Sequence, residues 1–60
     1  MMMNRTDLIN LVLTVYAEEI GDDTHYRSLI AHRPVDHLRE KGYKVTRIDF
    51  GKFEVEKGEQ

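Results

Sequence analysis

From Asp7 to Glu18 the polar positions are sparse and regularly spaced. Asp7, Asn10, Thr14 and Glu18 stand three or four residues apart, so on a helix they form one narrow stripe. Leu8, Ile9, Leu11, Val12, Leu13, Val15, Tyr16, Ala17 and Ile20 fill the rest. That apolar face is wider than the roughly 100° a surface helix needs. The pattern predicts a helix from about Asp7 to Ile20 that needs cover on two sides, one side coming from a second copy. Asn4 or Thr6 can cap its start, and Gly21 is placed to end it.

Asp22, Asp23 and Thr24 offer caps for a second helix. Tyr26, Leu29 and Ile30 then fall on one face, which predicts that the three are buried together. Pro34 stops this helix and suits the first position of a third. The third helix turns Val35 and Leu38 inward, shows Asp36, His37, Arg39, Glu40 and Lys41 outward, and ends at Gly42. Val45, Thr46 and Ile48 mark a strand over Tyr43–Ile48, and Asp49-Phe50-Gly51-Lys52 reads as a turn. Phe53–Glu56 is the return strand. With Phe50-Gly51 as the loop, Ile48 pairs with Phe53, Thr46 with Val55, and Arg47 with Glu54. The expected fold class is α+β: three short helices followed by a C-terminal two-stranded antiparallel β-hairpin. Residues 1–60 form a single domain, with residues 1–5 and 57–60 expected to fray.

Composition narrows the options. The chain has 60 residues, 40% hydrophobic and 33% charged, which suits a folded domain rather than disorder. A core of this size supplies about 3–5 kcal/mol of net stability, so a staple is expected. With no cysteine that staple cannot be a disulfide, which makes self-association the expected one. The cysteine-free composition fits a reducing, cytoplasmic setting. The Leu8–Ala17 run is too short to span a bilayer, so no membrane role is expected.

Charge is distributed unevenly. Residues 1–24 set Arg5 against Asp7, Glu18, Glu19, Asp22 and Asp23, a net −4. Residues 25–52 carry seven Lys or Arg against Asp36, Glu40 and Asp49, a net +4, and hold all three histidines. The acidic cluster at Glu18, Glu19, Asp22 and Asp23 reads as a solvated turn with helix caps, or as a docking point for a basic partner segment. His25, His32 and His37 lack the spacing and companion ligands of a zinc site. Ser28 is the only serine, and there is no glycine-rich phosphate loop. No nucleophile–base pair stands out. No catalytic residue, metal, cofactor or small-molecule substrate is therefore expected.

Pro34-Val35-Asp36-His37-Leu38-Arg39-Glu40-Lys41-Gly42-Tyr43-Lys44-Val45 runs from a short helix through a basic residue and glycine into a hairpin. Within residues 24–56 this order resembles a miniature winged helix-turn-helix domain. The resemblance implies a short turn of 3–4 residues, Ala31 to Pro34, before a helix that enters the major groove. It also implies a hairpin tip that touches the DNA backbone. By position, Arg33, His37, Arg39, Lys41, Lys44 and Lys52 would face DNA, and the protein would act as a dimeric regulator. Asp36 and Glu40 depart from this pattern, because they lie on the reading face and repel phosphate.

The rival expectation is a protein–protein interaction factor, an adaptor or inhibitor of the type that viruses and mobile elements encode. Its partner or dimer surface would be Leu8, Leu11, Val12, Val15, Glu18 and Glu19 on the first helix and acidic turn.

Overall fold

A computed structural model describes residues 1–58. The chain is α+β, with a three-stranded antiparallel sheet covered on one face by helices. Strand β1 is Met2–Asn4, helix α1 Arg5–Val15, α2 Ala17–Ile20, α3 Thr24–His32, α4 Pro34–Glu40, β2 Tyr43–Asp49 and β3 Lys52–Lys57. The sheet order is β1-β3-β2.

Two of these elements were not expected. Met2–Asn4, read as a frayed end, adds a strand to β3 in the register Met3↔Phe53. Its alternation explains why: Met3 packs against the core while Met2 stays exposed on the other face. At the other end Lys57 pairs with Tyr43, so it belongs to the ladder. Residues 59–60 of the expected tail lie outside the described residues.

The long first helix is also divided. Asn4 caps α1 by accepting the Asp7 amide at 2.8 Å. The helix closes at Tyr16, and a single further turn, α2, follows before Gly21 at φ 54. Glu18 and Glu19 thus stand in the first turn of α2, not in the last turn of a longer helix.

Asp23 caps α3 through the Tyr26 amide, 3.2 Å away. Pro34 opens α4, and Arg33 before it sits at φ −129, ψ 63, outside the helical region as a pre-proline residue should. Arg33 is the whole link between α3 and α4. The junction is therefore a sharp kink, shorter than the turn the winged-helix resemblance implies.

The hairpin register differs by one residue from the expected one. Asp49 faces Lys52, but Arg47 faces Phe53, Thr46 faces Glu54 and Val45 faces Val55, with an irregularity between Arg47 and Asp49. Ile48 is the extra residue, a β-bulge. The regular pairing would have set Thr46 across from Val55. The bulge turns Val45 to the same face as Val55, and both are buried.

Leu8, Val12, Tyr16, Ile30, Leu38, Val45 and Val55 form the core. Leu8 and Val12 have 0% exposure. The broad apolar face of α1 is largely covered by its own chain, with Leu11, Leu13 and Val15 half-buried around it. The predicted buried face of α3 is only partly realised. Ile30 is buried, but Tyr26 is 55% and Leu29 52% exposed. The helix packs on α1 and α4 along its Ile30 side, which leaves Tyr26 and Leu29 on the outer flank.

Leu8→Ala should remove about 2–5 kcal/mol, as large-to-small core changes do. A domain with only about 3–5 kcal/mol in hand should then be mostly unfolded in buffer. Circular dichroism should show the loss of helix, whereas Leu29→Ala should leave the spectrum intact.

Candidate partner-binding groove and hairpin tip

Most of the basic residues expected to face DNA are engaged within the chain. Arg39, on the last turn of α4, donates from Nη2 to the Val45 carbonyl at 2.8 Å. The Val55 amide bonds to Met1 on the β1 side, so the facing pair Val45–Val55 is a non-hydrogen-bonded one. The Val45 carbonyl therefore points out of the open edge of β2, and Arg39 caps that edge.

Lys41 reaches from the end of α4 to the Glu19 carboxylate of α2, and its ammonium lies 4.8 Å from the Tyr16 ring centroid. Arg33 is 3.9 Å from Asp36, with both side chains exposed. Lys44 faces Glu56 and Lys52 faces Asp49 across the hairpin. His37 Nδ1 lies 2.8 Å from the Arg33 carbonyl oxygen, which can only accept, so Nδ1 carries the proton. Arg33, His37, Arg39 and Lys41 thus each have a partner within the chain, whereas Lys44 and Lys52 are exposed and in no ion pair among the described residues.

The proposed first-helix interface also changes. Leu8 and Val12 are core residues and cannot meet a partner. Leu11 and Val15 are half-buried, and Glu18 is exposed. Only Glu19 joins a concave feature.

That feature is an open groove of about 430 Å³ where α2, α3 and α4 meet. Tyr16, Glu19, Ile20, Tyr26, Ile30, His37 and Glu40 line it. It follows from the two departures described above. The bend at Tyr16 turns Glu19 and Ile20 aside, and the kink at Arg33 swings α4 beneath α3. Tyr16 is its anchor. The hydroxyl donates to the His37 carbonyl at 2.9 Å and lies 3.4 Å from Glu40 Oε2. The His37 ring meets the Tyr16 ring edge-on, with centroids 5.6 Å apart. Burial pushes the Tyr16 hydroxyl above its ordinary pKa of 10.0, and the Glu40 carboxylate adds to the shift. The hydrogen bond to Glu19 raises Lys41 above its ordinary 10.5.

The groove is thus apolar and aromatic inside, with carboxylates at Glu19 and Glu40. Lys41 lies over the Tyr16 ring and is bonded to Glu19, so the Glu19 carboxylate is compensated within the chain.

A second feature lies at the tip of the hairpin. Phe50 is 87% exposed, the highest value among the large apolar side chains. The Arg47 guanidinium sits 5.6 Å from its ring centroid. Arg5, Arg47, Phe50, Gly51 and Phe53 surround a notch of about 200 Å³ between the tip and the start of α1. Among the described residues, neither Arg5 nor Arg47 is in an ion pair.

Sequence reading missed Arg5, Arg47 and Phe50 as a unit. The signal that could have found them is a bulky aromatic in a turn position between basic residues, where burial cannot account for it. Among the described residues there is no grouping of three His, Asp or Glu placed to hold a metal ion. None of the described helices is long and apolar enough to cross a membrane. The chain matches no protein-family model, no curated protein and no solved structure.

Stability should fall at alkaline pH through Tyr16 and Lys41. The fold raises both pKa values, so it favours both protonated forms. Their contribution is fully present below 10.0 and 10.5, the unfolded values, and is lost as pH rises through the folded ones. Urea midpoints should hold steady up to about pH 10.0 and drop beyond it. Tyr16→Phe should cost about 1 kcal/mol near neutrality, the usual worth of such a bond. Combined with Lys41→Met it should flatten the alkaline drop. An unchanged drop in that double variant would assign it to other groups.

Proposed function

We propose that this chain is a small, non-enzymatic binding module that holds a basic, aromatic-bearing segment of a partner protein in the α2–α3–α4 groove. The observation that carries this reading is the chemistry of the groove. Tyr26 and Ile20 present an apolar surface over the buried Tyr16 and Ile30, and Glu40 sets a negative charge beside it, Glu19 being paired with Lys41. Tyr26 is half exposed there with no internal role in the core, and aromatic groups of this kind anchor interfaces. Glu40 has no cationic partner among the described residues, so an incoming Arg or Lys would find an unneutralised carboxylate.

A second reading rests on the hairpin tip, and it preserves one part of the winged-helix resemblance. Arg5, Arg47 and Lys52 could meet phosphates while Phe50 stacks on a base. In this reading the wing contacts nucleic acid, and α4, whose basic residues have internal partners, does not enter a groove.

The groove reading is tested with a labelled peptide of alternating Arg and Phe, titrated by fluorescence polarisation. Tyr26→Ala and Glu40→Lys should each weaken binding about tenfold or more, the effect of losing an anchor worth about 1.4 kcal/mol. A peptide that binds both variants as well as the parent would exclude the groove. Labelled single-stranded DNA in rising salt tests the tip. Affinity that falls with log salt, and is lost in Phe50→Ala and Arg47→Ala but kept in Arg39→Ala, supports the wing reading. No binding at low salt removes it.

A further inference from the structure

We infer that the segment the groove takes is the hairpin tip of a second copy of this chain, an inference that rests on the groove reading above. The two surfaces match in chemistry. The tip carries Phe50, almost wholly in water, with the Arg47 cation against its ring. The groove offers the half-exposed Tyr26 ring and Ile20 beside Glu40, which has no cationic partner among the described residues. Phe50 would enter among Ile20, Tyr26 and Ile30, and Arg47 would meet Glu40. The match sets the unpaired Arg47 cation of the tip against the unpaired Glu40 carboxylate of the groove, which favours this pairing over tip against tip or groove against groove.

A chain cannot satisfy its own groove. The tip borders Arg5 at the start of α1, whereas the groove contains Tyr16, just past its end. The 11 residues of α1 hold the two apart by about 16 Å of helix rise. Two copies lying antiparallel make the contact twice, and copies placed head to tail make it repeatedly. In both arrangements the elementary contact is the same: Phe50 and Arg47 of one copy in the groove of the next.

The test is a mixing experiment read by sedimentation velocity. The parent protein should rise above monomer mass as concentration increases, and salt should weaken the association. Phe50→Ser, which damages only the tip, should stay at monomer mass. Tyr26→Ser combined with Glu40→Lys, which damages only the groove, should do the same. Circular dichroism checks that both keep the parent fold. Mixed in equal amounts, the two should form a species of twice the monomer mass that does not grow further, because one sound tip meets one sound groove.

A parent that stays monomeric at its highest soluble concentration overturns the inference. So does an association that Phe50→Ser leaves intact, or a mixture that stays monomeric. The Arg-Phe peptide separates this from failure of the groove itself. If the parent is monomeric yet binds the peptide in a Tyr26- and Glu40-dependent way, the groove stands and its occupant is another protein.

Discussion

The fold depends on one stripe of α1. Leu8, Val12 and Tyr16 stand four residues apart and all point into the protein, the first two with no exposure at all. Leu38 of α4, Ile30 of α3 and Val45 and Val55 of the sheet close around them. In a chain this short each layer meets every other through this stripe. Losing one member would uncouple a helix from the sheet instead of leaving a local void. Tyr16 adds a directional element to an otherwise non-directional core, because its hydroxyl has to find the His37 carbonyl. That bond fixes where α4 sits, and the position of α4 shapes the groove.

How much of this was legible in the sequence depends on the range of the cause. Local signals worked. Asn4 and Asp23 cap as their side chains suggest, Pro34 opens a helix, and Gly21 and Gly51 take positive φ. The α+β class follows from those signals and from the change in hydrophobic period after Gly42. What failed was set at long range. Met2–Asn4 has no strand signal of its own, and it becomes a strand because β3 has a free edge to pair with. The bulge at Ile48 is invisible to alternation alone. It arises because Val45, not Thr46, has to join Val55 in the core.

The charges show the same limit more sharply. Read along the sequence, residues 25–52 are a basic segment. In three dimensions Lys41 reaches Glu19, 22 residues away, and Arg39 is occupied by a sheet edge. A local excess of cations says little about an outer field when the acidic segment folds back onto it. The reverse holds for Arg5 and Arg47. They lie far apart in sequence, and only the return of the hairpin to the start of α1 brings them to one notch. Two cations without ion pairs therefore meet at the tip, while those of α4 have partners within the chain.

The placing of surplus apolar groups bears most directly on function. A core of seven residues is saturated by one stripe, one buried side chain each from α3 and α4, and two valines. Tyr26, Leu29, Ile48 and Phe50 are left over, along with Met1 and Met2. Scattered singly on a surface, such residues would mean little. Here Phe50 has a guanidinium beside it, and Tyr26 lines a groove with two carboxylates. An apolar group flanked by charge is selective, since a partner of the wrong sign loses more by desolvation and repulsion than it gains by burial. Phe50 stands on a protruding turn with Arg47, and Tyr26 stands in a hollow with Glu40. A domain too small to bury all its aromatic side chains can still avoid indiscriminate adhesion in this way.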